Sequence, residues 1–257
     1  MSGWTLRRRA VLFGLALASA PLAAAPSQAR LLVKVGAYEF PPYLDERGEG
    51  VTPAFVELLN REQAEFRFEI VPTSPQRRFD DLQRARFDVI AFESLDWGWR
   101  KLPVSASRVF LGDGEVFVAR KGPGVGQPYF DRLEGKSILG RLGFHYAFAG
   151  FNADPDLLER RFNARLTVTH EGNLRSVAAG RADLAIVTRS YLVQFLRRDP
   201  SLAERLLVSD RMDQVYAHTM LVRSGAPVGV DWINGMLDRL EAEGKLAALW
   251  KKQGIVE

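Results

Sequence analysis

Residues 93–100 bring together side chains able to bind a small charged molecule: Glu93, Ser94, Asp96, Trp97, Trp99 and Arg100. The guanidinium of Arg100 has the planar fork that bonds both oxygens of a carboxylate. Phe40 and Tyr43 flank Pro41 and Pro42, and with Tyr38, Trp97 and Trp99 they can wall a binding site. Aromatic walls give apolar contact and can hold a cation over a ring face, although part of this set must serve ordinary core packing. Trp97 and Trp99 share a face only if Gly98 lies in extended chain. Glu93 in an aromatic pocket would have its pKa raised by desolvation and could then act as a general acid, with His145 as a second candidate. Nothing else suggests catalysis. The three histidines, His145, His170 and His218, are not spaced as metal-ligand pairs, and there is no Ser-His-Asp order and no phosphate loop. No motif here places named groups in catalytic roles, and no cofactor or metal is expected.

Composition narrows the setting. The chain has 257 residues, 47% hydrophobic and 26% charged, which suits a globular protein. It has no cysteine, which excludes a disulfide framework, a thiolate site and a lipid-modified cysteine. The net charge of +4 includes Arg7, Arg8 and Arg9 in an acid-free leader, and without those three the balance falls to +1. Nucleic-acid binding thereby loses its electrostatic support. The arginines precede an apolar stretch from Ala10 to about Ala25, too short for a comfortable membrane span, and Ser27 and Ala29 fit the small-x-small cleavage rule. Residues 1–29 therefore read as a cleavable export signal. Its paired arginines also loosely resemble a twin-arginine leader. The mature protein, from about Arg30, is expected in the periplasm and not as a lipoprotein.

The elements that must position these side chains alternate between strand and helix. Residues 31–35, 66–71 and 87–92 read as strands, the last a nearly continuous apolar run of the kind buried on both faces of a parallel sheet. Between them, Thr52 and Pro53 open one helix as N-cap and first-turn proline, and Ser74 and Pro75 open another. After a Gly/Pro-rich stretch at residues 121–128 a second unit follows. Its strands are 137–140, 166–169 and 182–188, and its helices are 154–162, 173–179 and 190–197. A strand at 216–222 and two helices within 231–253, broken at Gly244, complete the chain. Two α/β units, each with right-handed crossovers, fit two lobes better than one large sheet.

Three segments carry a family resemblance: LQRARFDVIAFES at residues 82–94, GRADLAIV at 180–187 and INGMLDRLEAEGKLAALWKKQG at 233–254. In this order, after an export signal, the chain resembles the periplasmic solute-binding proteins of ABC importers, family 3, the polar amino acid-binding type. The resemblance implies a type II flytrap fold, two α/β lobes joined by two crossover strands. Its first lobe would comprise residues 30–119 and 213–257, and its second residues 120–212. The site would lie in the interlobe cleft, at the carboxyl ends of the strands. Arg100 stands twelve residues after Asp88, the family's interval to its carboxylate-binding arginine. The segment at residues 135–145 resembles the opening of the second lobe, where residues just after Gly143 would meet the ligand at a helix start. The implied partner is an inner-membrane ABC permease, served by a monomer that captures solute through Arg100 and closes the helix start near His145 over it.

The departures bear on ligand identity. Phe144 and His145 stand where small hydroxyl residues are usual; His145 either donates to an anionic ligand or packs within its own lobe. Glu93 and Leu95 replace the small hydroxyl pair before the arginine, with Ser94 between them. Thr188 stands where the family supplies an acid for an α-ammonium group. Either Glu93 or Asp96 takes over that task, or the ligand is not an α-amino acid. Arg78, Arg141 and Arg189 would make the cleft more anion-seeking. Two alternatives share the fold: a ligand sensor docking on a membrane receptor, and a periplasmic dehydratase-like enzyme.

Overall fold

The computed structural model describes Met1 and residues 29–255, so the segment read from the sequence as an export signal, residues 1–29, lies, apart from its two ends, outside the described residues. The first half of the chain forms β1 (Leu31–Ala37), α1 (Val51–Glu62), β2 (Phe66–Pro72), α2 (Arg78–Gln83), β3 (Val89–Glu93) and the short β4 (Val104–Ala106). The long β5 (Leu111–Arg120) leads into β6 (Ile138–Arg141), α3 (Pro155–Phe162), β7 (Ala164–Thr167), α4 (His170–Ala178), β8 (Leu184–Thr188), α5 (Arg189–Arg198) and α6 (Pro200–Arg205). The 18-residue β9 (Leu206–Arg223) returns to the first half, where α7 (Val230–Ala242) and α8 (Lys245–Lys252) close the chain.

The strand order is β2-β1-β3-β9-β5-β8-β6-β7, with β4 also on β9. β1 pairs in parallel with β2 and β3, and β6 in parallel with β7 and β8. β9 belongs to both groups. Its Thr219–Val222 end runs antiparallel to β3, and its earlier part runs antiparallel to β5. β5 in turn joins β8 from Glu115 onward. Two α/β halves are thus bridged by two long antiparallel strands, the two-lobed type II architecture.

One apolar cluster joins Val33, Val35, Phe55, Leu82, Ile90, Leu237 and Trp250 of the first half to Ile138, Leu158 and Ile186 of the second, and a smaller one, with Val116, Leu139, Leu174, Val187 and Phe195, fills the second half alone. All five residues of β3 are buried, as a two-face-covered strand requires. Gly244, at φ +69°, separates α7 from α8 at the expected break. Other boundaries move. α1 starts at Val51 after Gly50, so Thr52 is helical and buried and makes no cap. β7 and α4 each begin earlier than the hydrophobic pattern suggests: β7 ends at Thr167, and Thr169 caps α4, its hydroxyl accepting from the Gly172 N–H. β5 has no counterpart in the sequence reading. Gly112, Asp113, Gly114 and Glu115 interrupt its apolar pattern, yet Asp113 and Glu115 are buried there.

Candidate functional site

Where the halves meet, Tyr38, Phe40, Arg78 and Trp97 from the first face Gly143, Phe144, His145, Gln214 and Tyr216. They enclose about 10 Å³, room for about one water. Phe40, just after β1, is the hub. Its ring lies 4.7 Å from Tyr43, 6.0 Å from Trp97, 5.2 Å from Phe144 and 6.1 Å from Tyr216. The Phe40–Phe144 contact is edge-to-face, a favourable aromatic geometry, and it joins the two halves.

A buried ion pair lies behind this aromatic wall. Arg78 Nε is 3.1 Å from Glu93 Oε1, with the two side chains 1% and 0% exposed. Trp99 Nε1 donates to Glu93 Oε2 at 2.7 Å. Burial raises the Glu93 carboxyl above its ordinary pKa, while the Arg78 charge opposes the rise. The guanidinium stacks over Phe79 at 4.4 Å and Tyr38 at 5.0 Å. It also donates to the Pro75 carbonyl and, across the interface, to the Gly143 carbonyl at 3.4 Å. The first turn of α2 sets this aim: Leu82, one turn after Arg78, is fully buried in the core, so Arg78 shares the inward face.

The bridging strands carry a second polar network. Trp97 Nε1 donates to Gln214 Oε1 at 3.0 Å, and Gln214 Nε2 donates to Glu115 Oε2 at 2.8 Å and to the His145 carbonyl. Tyr43 donates to Asp113 at 2.8 Å and lies 2.9 Å from His218 Nε2. Asp113 also accepts from the Ser190 N–H at the start of α5. Asp213 takes the N–H groups of Ala147 and Phe148. Burial, reinforced by the Asp213 charge, pushes the Glu115 carboxyl up to about 8. Burial and the Arg78 charge push His145 down to about 3, and burial alone takes His218 to about 3.

Of the residues read as site candidates, Phe40, Trp97, Gly143 and His145 line this cavity, and Glu93 lies directly behind it. Tyr43 is buried against Asp113 and His218, and fully buried Thr188 lies 3.3 Å from His170 Nε2. Ser94 accepts from the Asp96 N–H in a turn. Gly98 adopts φ +90°, not extended chain, so the two tryptophans diverge. Trp99 packs on Phe79 at 4.6 Å behind Glu93 and is not a cleft wall. Arg100 lies furthest from its expected place. It sits in a 3₁₀ turn (Trp99–Lys101) with its side chain 66% exposed, bonded to Asp96 at 2.6 Å, and it does not reach the cavity. The buried guanidinium there belongs to Arg78. Gln214, Tyr216, Asp113 and Glu115 escaped the sequence reading, because only strand pairing brings β5 and β9 beside the cleft. Arg189 does not line the cavity. Among the described residues no group of three or more acid or histidine side chains is placed to hold a metal ion, and no helix is long and apolar enough to cross a membrane.

The fold agrees with the comparisons with known proteins. Residues 33–254 match the family model of bacterial extracellular solute-binding proteins, family 3, and the chain belongs to that family. A curated relative, the Probable amino-acid-binding protein YxeM of Bacillus subtilis (strain 168), is 25% identical over 181 residues, 67% of this chain. The match spans 63% of that relative's length. Among solved structures, an ABC uptake transporter substrate binding protein from Streptococcus pneumoniae with bound histidine superposes with a TM-score of 0.68 at 19% identity. It covers 86% of this chain and 92% of that one. The ancestral amino acid-binding protein AncCDT-1, a precursor of cyclohexadienyl dehydratase, superposes with a TM-score of 0.62 at 18% identity, over 86% and 94% of the chains. At these identities the structures speak for the fold.

Proposed function

We propose that this protein is an exported binding protein that takes a small polar, carboxylated solute, an amino acid or a related compound, between its lobes and delivers it to an ABC permease. The observation that carries the reading is the lobe-spanning aromatic cavity with the buried Arg78 guanidinium at its edge. A cavity of about 10 Å³ holds no amino acid, so solute enters this part of the cleft after the Phe40 and Phe144 sides part. The lobes move as residues 30–119 with 213–257 against residues 120–212, and β5 and β9 act as the hinge. Binding favours closure because only the closed state offers contacts from both sides. The permease reads the closed shape of a monomer in the periplasm. The names of the B. subtilis relative and the S. pneumoniae structure support an amino-acid-like ligand. Binding without turnover is the favoured activity, since Glu93 is engaged by Arg78 and Trp99, and the His145 imidazole, pushed down to about 3, is a weak base. Thermal unfolding of residues 30–257 against amino acids, amines, carboxylates and phosphorylated solutes tests the reading. A true ligand at a hundred times its Kd adds about 2.7 kcal/mol and raises the midpoint. No shift with any class would contradict the reading.

A further inference from the structure

A second, much larger cavity opens beyond the Phe40–Phe144 contact, on the side of the residue 39–50 loop. It encloses about 600 Å³, within the range of small-molecule sites, whereas the inner cavity holds about one water. Its first-lobe wall is the loop from Glu39 to Gly50. Its second-lobe wall is built by Arg141 at the end of β6, His170 at the start of α4, and Tyr191 on α5.

Two buried side chains on that second wall have unmet polar atoms. Arg141 is 5% exposed; its Nε donates to the Val168 carbonyl and its Nη2 to Glu39, while Nη1 has no partner. His170 is 2% exposed; its Nε2 faces Thr188 and its Nδ1 has no partner. Burial, together with the Arg141 charge, holds this imidazole neutral. A buried guanidinium with an unused N–H group is costly unless an acceptor completes it. The acceptor present is the Glu39 carboxylate, 2.6 Å from Arg141 Nη2 and 45% exposed, which reaches across from the opposite lobe. Glu39 binds with one oxygen where the fork of an arginine accommodates two. A half-exposed carboxylate on a loop can leave for water, whereas the buried guanidinium cannot.

We propose that this outer cavity is a second binding site, in which Arg141 takes the carboxylate of a small organic acid in exchange for Glu39. Glu39 is then a tethered internal competitor, and the site discriminates for solutes able to offer Arg141 both oxygens. This deepens the reading of the interlobe cleft as the solute site and rests on it, but it concerns residues on the far side of the Phe40–Phe144 contact. It also explains why Arg141 is buried with its charge directed at the other lobe.

The test is calorimetric titration of the purified protein with succinate, glutarate and 4-aminobutyrate, with butylamine and succinamide as controls lacking the carboxylate. The acids are expected to bind and the controls not. Glu39→Gln removes the competitor while keeping the side-chain shape, and is expected to tighten acid binding about fivefold. Arg141→Gln is expected to weaken it at least tenfold. Arg141→Lys, which retains the charge but loses the fork, is expected to fall between the two. Acid affinities unmoved by Glu39→Gln and Arg141→Lys, or weakened by Glu39→Gln, would overturn the exchange. If acid binding were instead lost only in Trp97→Ala, this site would fall while the interlobe reading stood. If no acid bound wild type or Glu39→Gln while amino acids still stabilised the protein, the outer site would again fall and the interlobe reading survive. If nothing bound at all, both would fall.

Discussion

Replacing Glu115 by glutamine should stabilise the protein, and the gain should grow with pH. Glu115 is fully buried on β5, accepts from Gln214 through one oxygen, and leaves the other oxygen without a partner. Burial and nearby Asp213 raise its carboxyl from an ordinary 4.5 to about 8. A carboxyl whose folded pKa exceeds its unfolded one contributes stability that is fully present below the unfolded value and is lost as pH rises toward the folded value. The window is therefore about pH 4.5 to 8. Within it the unfolded chain is ionised and the folded one protonated, so each pH unit costs about 1.4 kcal/mol. Relative to a permanently neutral side chain of the same shape, the cost is about 1 kcal/mol at pH 5.5 and about 4 kcal/mol at pH 7.5. Glutamine keeps the acceptor for Gln214 and stays neutral. Urea unfolding of wild type and Glu115→Gln at pH 5.5, 6.5 and 7.5 measures the difference directly. The buried histidines and the other acids titrate in both proteins and cancel to first order. A difference that is flat across these pH values, or a glutamine variant less stable at pH 7.5, would refute a protonated Glu115.

Two further substitutions probe the placement of the site residues. Arg100→Ala removes an exposed side chain paired only with Asp96, so stability should change by less than about 0.5 kcal/mol and solute affinity by less than about twofold; calorimetry showing a large affinity loss would return Arg100 to the site. Gly143→Ala introduces a side chain at φ +80° directly against Pro75 of the facing lobe. It should cost about 1–3 kcal/mol and hold the lobes apart, visible as a larger radius of gyration in small-angle scattering.

The elements with regular apolar patterns were legible in the sequence. β3 could be read from its unbroken run, α7 and α8 from their stripes and the glycine between them, and the two-unit division from the strand–helix alternation. The bridging strands were not. β5 carries two glycines and two acids where a strand pattern needs apolar residues, and the partners of those acids, Tyr43 and Ser190 for Asp113 and Gln214 for one oxygen of Glu115, come from distant parts of the chain. The placement of Arg100 away from the cavity has the same origin. Spacing from Asp88 selects Arg100, but spacing does not fix direction. Gly98 at positive φ turns the chain so that Trp99 points inward and Arg100 outward. Arg78 lies on a six-residue helix too short to display a stripe, and its partner Glu93 is fifteen residues away. Glu93 in an aromatic setting was legible because Trp97 and Trp99 lie close by in sequence; its ion pair was not.

The most direct test of the central claim is diffraction from crystals grown with whichever solute raises the unfolding midpoint. A small polar solute between the lobes requires density for it bounded by Phe40 and Trp97 on one side and by the Phe144–His145 segment or Arg141 on the other, with both lobes in contact. Solute density confined to the outer face of a single lobe, with the interlobe aromatics packed as they are here, would contradict it.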